Sequence, residues 1–559
     1  MKEGFRQSMA WLHTWSGLLV GWVLFLVFAG GTSAYFRDEI SLWMKPELHA
    51  ASARPGDPAQ AAALALRQLQ AQAAGSPRWS IELPSEREPL LRTGWTIPPP
   101  AAAASAPAKA DERPRRARFG SATLDPATGE IAAAARETRG GDFFYRLHFD
   151  LHYMSAIWGR WIVGFCALFM LVAIVSGIVT HKRIFKDFFT FRPRKGQRSW
   201  LDAHNATAVL ALPYHLMITY TGLVTLMFLY MPWGPQAVYK EDRQTFIAEV
   251  FPSSTGFANQ RPSGVAAPLV PVADLMREAS STWHGAPVSR IVLSNPGDAT
   301  ARVTLYRYEG GTLSSNQSSM TFDGTSGKLL GRAGEDIAPA SDTRGVLYGL
   351  HIGRFANPLL RWLFFVSGIA GCVMVATGLL LWSVKERQQY AKVLAKGGRI
   401  GFGLRLVDGL NVGAVAGLPL AMAAFFWANR LVPVGIAERP ATEIACFFWA
   451  WGLAAVAGLA WPTRRMWQIQ LALGGLLFAL LPLLNPLTGG LGLAAAVPAG
   501  QWRVAGFDLT VLALGAGLLA AAWYVGKRKP AAKPRTATAK AEALVRAPEP
   551  RLETAGAGQ

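Results

Sequence analysis

The apolar positions of this chain fall into uninterrupted blocks of about 20 residues, separated by polar stretches of very unequal length. At 1.5 Å of rise per residue, each block is long enough as a helix to cross a hydrocarbon layer of roughly 30 Å. The windows predict eight transmembrane helices, at about 14–36, 158–180, 205–231, 359–383, 408–431, 441–461, 466–485 and 505–526. Long polar segments set the first four apart, whereas the last four follow closely. This predicts a four-helix core and a separate membrane block over 408–526.

Positive charge gives these spans a direction. The stretch HKRIFKDFFTFRPRKGQRSW after the second span holds seven Lys or Arg against one acid, and the segments after the fourth, sixth and eighth spans are also basic. All lie on one side if each span crosses once, and positive loops stay in the cytoplasm. Both termini and the loops 181–204 and 384–407 are then cytoplasmic, and residues 37–157 and 232–358 lie outside, in the periplasm of a Gram-negative inner membrane. A cleaved signal peptide ending near Gly31 to Ala34 is disfavoured, because the apolar stretch is too long and lacks a good A-x-A site.

Each external segment has a helical pattern followed by strand-like pieces: PAQAAALALRQLQAQAAG before WSIELP in the first, PVADLMREAS before SRIVLS and ARVTLYRY in the second. Each closes on a hairpin signal, TLDPATGEI and TFDGTSGKLL, where Asp and Gly supply the turn. Two copies of one small α+β module are expected. The Pro/Ala-rich, basic stretch at about 98–118 reads as a mobile insertion, and 527–559 as a disordered cytoplasmic tail.

The first four spans repeat as two halves, each a helix, a module and a returning helix. WLHTWSG resembles WLDAHNA, matching His13 with His204; FDLHYMSAIWGRW resembles YGLHIGRFANPLLRW, matching His152 with His351; SGIVT resembles ATGLL. If the halves pack about a pseudo-twofold axis along the membrane normal, matched residues face one another at equal depth. Two histidines so placed suit a six-coordinate haem iron, so the pattern predicts two haems, one near each membrane face. Haem b, held without a covalent bond, fits the absence of CxxCH.

Other residues compete for these roles. His148 stands four before His152, so on a helix both point one way; one can ligate while the other contacts propionate or substrate, and the repeat favours His152. His181 closes the second span and is a ligand or a helix-end histidine; His215, in PYHLMITYTG, is an inner-haem ligand or an interhelical hydrogen-bonding group near a kink at Pro213. His49 and His284 read as ordinary module residues. Arg160, Arg354 and Arg361 are candidate propionate partners, and interfacial arginine and tryptophan are the ordinary alternative.

Composition narrows the class further. With 559 residues, 51% hydrophobic and 16% charged, the chain is neither disordered nor an ordinary soluble enzyme, and the arrangement of its +20 charge reflects membrane orientation rather than nucleic acid. Cys166, Cys372 and Cys446 all lie in apolar blocks, so no disulfide framework is implied. No P-loop, HExxH or GxSxG is present, and GRIGFG lacks the βαβ context of a nicotinamide site. No catalytic side chain can be assigned.

WLHTWSGLLVG, LHFDLHYM, the DAHN and TYTGL pieces and LHIGRF, in this order over residues 1 to about 390, resemble the PepSY-associated transmembrane helix family, especially its bacterial inner-membrane siderophore-iron reductases. The resemblance implies external PepSY modules, two b haems on His13, His204, His148 or His152, and His351, and electrons passing outward to a ferric siderophore. The donor, cytoplasmic or quinol, is left open, and the last four spans have no assigned role. Competing classes are a PepSY peptide- or regulator-binding membrane protein without redox activity, and a siderophore transporter with His215 in its pathway.

Overall fold

The structure, a computed structural model, describes residues 3–50, 57–98, 118–132, 135–181, 192, 195–251, 260–335 and 337–527. The expected insertion falls largely, and the tail almost wholly, outside these residues. Among these residues seven helices are long and apolar enough to cross a membrane, or eight where the bent pair counts as one span. Multi-pass membrane architecture follows directly from that length and hydropathy.

The core is built from α1 (Glu3–Ala34), α5 (Ala156–Thr180), the bent pair α6 (Gln197–Leu210) and α7 (Leu212–Thr225), and α10 (Pro358–Gln389). Two of these differ from the sequence windows. Helix α1 begins at Glu3, well before the apolar block, so His13 lies within the helix rather than at its opening. The third span starts at Gln197, bends by 68° at Ala211 and ends at Thr225, not at 231. Pro213, in the first turn of α7, has no N–H to continue the ladder from α6, and proline in that position suits a new helix start.

On one side of the helices lies a single antiparallel sheet of seven strands, order β3-β2-β1-β4-β5-β6-β7. The strands are β1 (Arg78–Glu82), β2 (Leu91–Ile97), β3 (Arg118–Leu124), β4 (Val288–Ser294), β5 (Arg302–Arg307), β6 (Ser319–Asp323) and β7 (Leu329–Ala333). Each external segment supplies one part, and the halves join where β1 pairs β4, with Trp79 opposite Leu293 and Ile81 opposite Ile291. Helices α3 (Pro58–Gln72) and α8 (Val272–Thr282) share one core with the sheet, including Ala65, Leu69, Ala279, Leu305 and Phe322. In the β6–β7 hairpin, Asp323 accepts from the Thr325 and Ser326 amides at 3.0 and 2.8 Å. These bonds favour the carboxylate and hold Asp323 down at about 2.

Two short helices join the sheet to the returning spans. Helix α4 (Gly141–Phe149) packs on α1, and α9 (Pro339–Ile352) packs on α7. The sheet braces α9: the Ser315 amide donates to the Gly345 carbonyl at 3.0 Å and Asn316 Nδ2 to the Ser341 carbonyl at 3.1 Å. Arg87, from the first half, reaches the Gly353 and Ala356 carbonyls just beyond α9, at 3.2 and 2.7 Å.

The C-terminal block comprises α11 (Phe402–Asn411), a π-helical turn at Val412–Ala416, then α12 (Gly417–Leu431), α13 (Arg439–Ala460), α14 (Arg464–Leu487) and α15 (Trp502–Lys527). A buried polar network fastens it to the first half, where α2 (Arg37–Trp43) ends on Trp43. Trp43 Nε1 donates to Asp508 at 2.8 Å, Arg430 to Asn485 at 2.8 Å, and Arg136 to Glu47 at 2.8 Å and the Asn429 carbonyl at 2.9 Å. Arg439 pairs with Glu443 in the same network, and both are essentially inaccessible. His49, expected as an ordinary module residue, is buried here: the Leu491 amide donates to its Nδ1 at 3.1 Å, which leaves Nε2–H for the Leu42 carbonyl at 3.1 Å.

Candidate functional site: two histidine pairs in two cavities

The core encloses two cavities at different depths. The one on the sheet side measures about 620 Å³ and the other about 410 Å³, both within the size range of cofactor pockets. Leu24 and Met170 line both, so little more than their side chains separates them.

Each cavity contains one facing pair of histidines. His13 on α1 and His204 on α6 stand with ring centres 6.1 Å apart; His148 on α4 and His351 on α9 stand 5.9 Å apart. Metal–imidazole bonds of about 2 Å, with each ring centre lying about 1.1 Å beyond its nitrogen, place two imidazole centres about 6 Å apart across one metal. The pairs have that separation, and their planes cross at 70° and 29°.

The rings are held alike. Nδ1 of His13 bonds the Ala173 carbonyl at 2.8 Å, Nδ1 of His204 the Met374 carbonyl at 2.9 Å, and Nδ1 of His148 the Val27 carbonyl at 2.6 Å. The His351 ring faces the Ile218 carbonyl, and its Nδ1 lies 3.2 Å from Thr221 Oγ1. In every case the carbonyl belongs to the residue four before a glycine, in Ala173/Gly177, Met374/Gly378, Val27/Gly31 and Ile218/Gly222. A Cβ on those glycines would lie 3.1, 3.1, 2.7 and 3.0 Å from the histidine's Cε1. The missing side chain lets each ring lie against the helix and reach a carbonyl. Such a bond places the proton on Nδ1 and leaves the Nε2 lone pair for a metal, the usual outer support of a ligating histidine.

The geometry reverses the preference for His152. Helix α4 ends at Phe149, and Leu151 and Tyr153 both take positive φ, so His152 leaves the helix and stacks on Phe448 at 5.3 Å. His148 stands opposite His351 instead. The matching signal is Tyr-x-Leu-His, which occurs at 145–148 and again at 348–351. The four glycine seats were also missed; Gly31 and Gly222 are separated in sequence by the same interval as His13 and His204.

The remaining candidates separate by position. Arg160 and Arg354 line the sheet-side cavity, with Arg160 2.7 Å from Asp150. Arg361 lines neither cavity: it is buried in an ion pair with Glu39 and lies over Phe36. His215 lines the second cavity near the bend, 6.0 Å from Phe28 and outside the His13–His204 pair; neither ring nitrogen has a hydrogen bond of good geometry. His181, the cap residue of α5, lines the same cavity and accepts at Nε2 from Asn205 Nδ2 at 2.9 Å.

The fold and site define a multi-pass membrane protein whose duplicated helical core suspends two histidine pairs beneath an extramembrane sheet. Residues 10–385 match the PepSY-associated TM region, and the chain belongs to that family. The match ends at the close of α10 and leaves out the C-terminal block. The chain is also similar to the uncharacterized protein PA4219 of Pseudomonas aeruginosa, with 26% identity over 417 residues, covering 67% of this chain and 93% of that protein.

Proposed function

We propose that each histidine pair holds one haem b, and that the protein is an inner-membrane reductase that passes electrons outward to a ferric siderophore and releases Fe(II) in the periplasm. The observation that carries the reading is the twofold recurrence of one arrangement: two imidazoles about 6 Å apart, each ring lying on a glycine seat and three of the four tied to the carbonyl beside it. Haem b, when bound, supplies a one-electron ferric/ferrous couple at each of two depths.

The residues have separable tasks. His13 with His204 and His148 with His351 would hold the haem iron through Nε2, which a carbonyl bond at Nδ1 leaves unprotonated in His13, His204 and His148. Arg160 and Arg354 on the sheet side, and Lys385 at the other cavity, are placed to take propionates. Apolar walls such as Leu24, Phe28 and Met170 exclude water between the depths. With basic loops in the cytoplasm, the sheet lies in the periplasm above the outer pair. A siderophore binds Fe(III) through hard oxygen donors and Fe(II) less strongly, so a single electron loosens the metal.

The test is spectroscopic. Purified protein made with ample haem supply should carry two haems and show a sharp reduced α band. A ferric siderophore added to the dithionite-reduced protein should reoxidise it while a ferrous chelator traps Fe(II). Colourless, well-folded protein would remove the haem assignment, and unchanged spectra with no ferrous product would remove siderophore reduction alone. Replacing His351 by Ala should lose one haem.

A further inference from the structure

The inner cavity has a polar group that the histidine pair leaves unused. His181 closes α5 and Asn205 stands on α6, and the 2.9 Å bond between them spans the gap separating the two helices. Beside it, Ile178 on α5 and Leu201 on α6 line the cavity and are also outwardly exposed, at 42% and 40%. Among the described residues the cavity therefore opens sideways toward the lipid between α5 and α6, with apolar lips. His181 Nδ1 is buried and has no hydrogen-bond partner.

We infer that this gap is a quinol-binding site, with His181 Nδ1 contacting the headgroup oxygen and Asn205 setting the tautomer. This rests on the proposed redox function and supplies its donor. The His181–Asn205 pair is adaptable. With the Asn205 amide donating to Nε2, Nδ1 carries a proton and donates to a quinone carbonyl; with the amide reversed, Nδ1 is an acceptor for a quinol hydroxyl. One site thus fits both redox states. A carboxylate in this low-dielectric setting calls instead for a cation, and Lys385 on α10 provides one elsewhere on the cavity wall. An apolar lateral mouth is the route a membrane-dissolved ring would take. The chemistry balances as one quinol and two ferric chelates giving one quinone, two protons and two ferrous ions. The two protons leave from the hydroxyl groups, the first at His181.

The test uses full-length protein in lipid nanodiscs and labelled decylubiquinone, with a short-chain menaquinone analogue as a second probe. Saturable binding of at least one is expected. His181→Ala and Asn205→Ala should each weaken it about tenfold or more, the loss of a hydrogen bond that leaves a polar partner unsatisfied, while both haem bands stay intact. His181→Gln, which keeps a donor and an acceptor, should recover part of the affinity. No saturable binding in the parent protein, or unchanged affinity in the His181 and Asn205 variants, overturns the site. Haem lost in step with quinone affinity in His181→Ala overturns it too, and makes His181 a cofactor contact. Colourless protein that still binds quinone through His181 would sink the haem reading and leave this site standing.

Discussion

Gly31→Ala isolates the device that holds the outer pair. The new Cβ would lie 2.7 Å from both Cε1 and Nδ1 of His148, against an ordinary carbon contact of about 3.5–4.0 Å. Relieving the overlap moves the ring away by about 0.8 Å. The Nδ1–Val27 bond, now 2.6 Å, would open to about 3.4 Å, past the usual hydrogen-bond range. Losing such an outer-shell partner typically costs 10–100-fold in metal affinity, so haem affinity at this site should fall by about that factor. Backbone propensity works the other way, since alanine favours a helix over glycine by about 1 kcal/mol. Titrating haem into cofactor-depleted protein and measuring haem per chain by the pyridine haemochrome gives the answer. Gly31→Ala should drop from two haems toward one at limiting haem, with the fold intact by circular dichroism. Gly177→Ala, Gly222→Ala and Gly378→Ala, with 3.0–3.1 Å approaches, should be milder. Gly517→Ala, whose Cβ meets nothing within 4 Å, should be silent. Two tightly held haems in Gly31→Ala would refute the seat argument, whatever the fate of the haem assignment.

Three further outcomes follow from particular contacts. His148→Ala should lose the outer haem and His152→Ala should keep both; the reverse result in reduced spectra would restore His152 as the ligand. Glu443→Ala leaves Arg439 buried without its acid, which should destabilise the protein by about 3–5 kcal/mol, visible as a lower thermal midpoint in detergent. If the midpoint does not move, the network does not fasten the block. His49 is held at about 4, first by burial and then by Arg430, below the ordinary 6.5. A depressed pKa means the folded state binds fewer protons, so stability is full above about 6.5 and falls as pH drops toward 4, by about 3 kcal/mol over that window. Thermal melts of wild type and His49→Gln between pH 4 and 7 should differ in slope, and parallel curves would contradict the assignment.

The C-terminal block shows how little hydropathy says about docking. Its four apolar stretches announce helices, yet what joins it to the core is an aromatic seam, with Phe143 and Phe144 against Phe425, together with polar side chains scattered from Trp43 to Asp508. Nothing in their spacing marks them as neighbours, because each gains meaning only once the loops have folded back on one another. The π turn at Val412–Ala416 is of the same kind: it leaves the Gly413 carbonyl to accept from Trp451 at 3.0 Å.

Hydropathy and repetition are enough to mark out the spans, the two sheet-forming segments and the duplication, because a bilayer demands long apolar helices and a repeat preserves its pattern. The repeat also singled out His13 and His204 as a matched pair, and His351 with the wrong partner of two candidates four residues apart. Tertiary structure decided the rest. The backbone turns at Leu151 and Tyr153 took His152 off its helix, and the pairing of β1 with β4 merged two modules into one sheet. Only the close approach of neighbouring helices showed why Gly31, Gly177, Gly222 and Gly378 are bare: a histidine ring can reach a backbone carbonyl on the next helix only where no side chain stands between them.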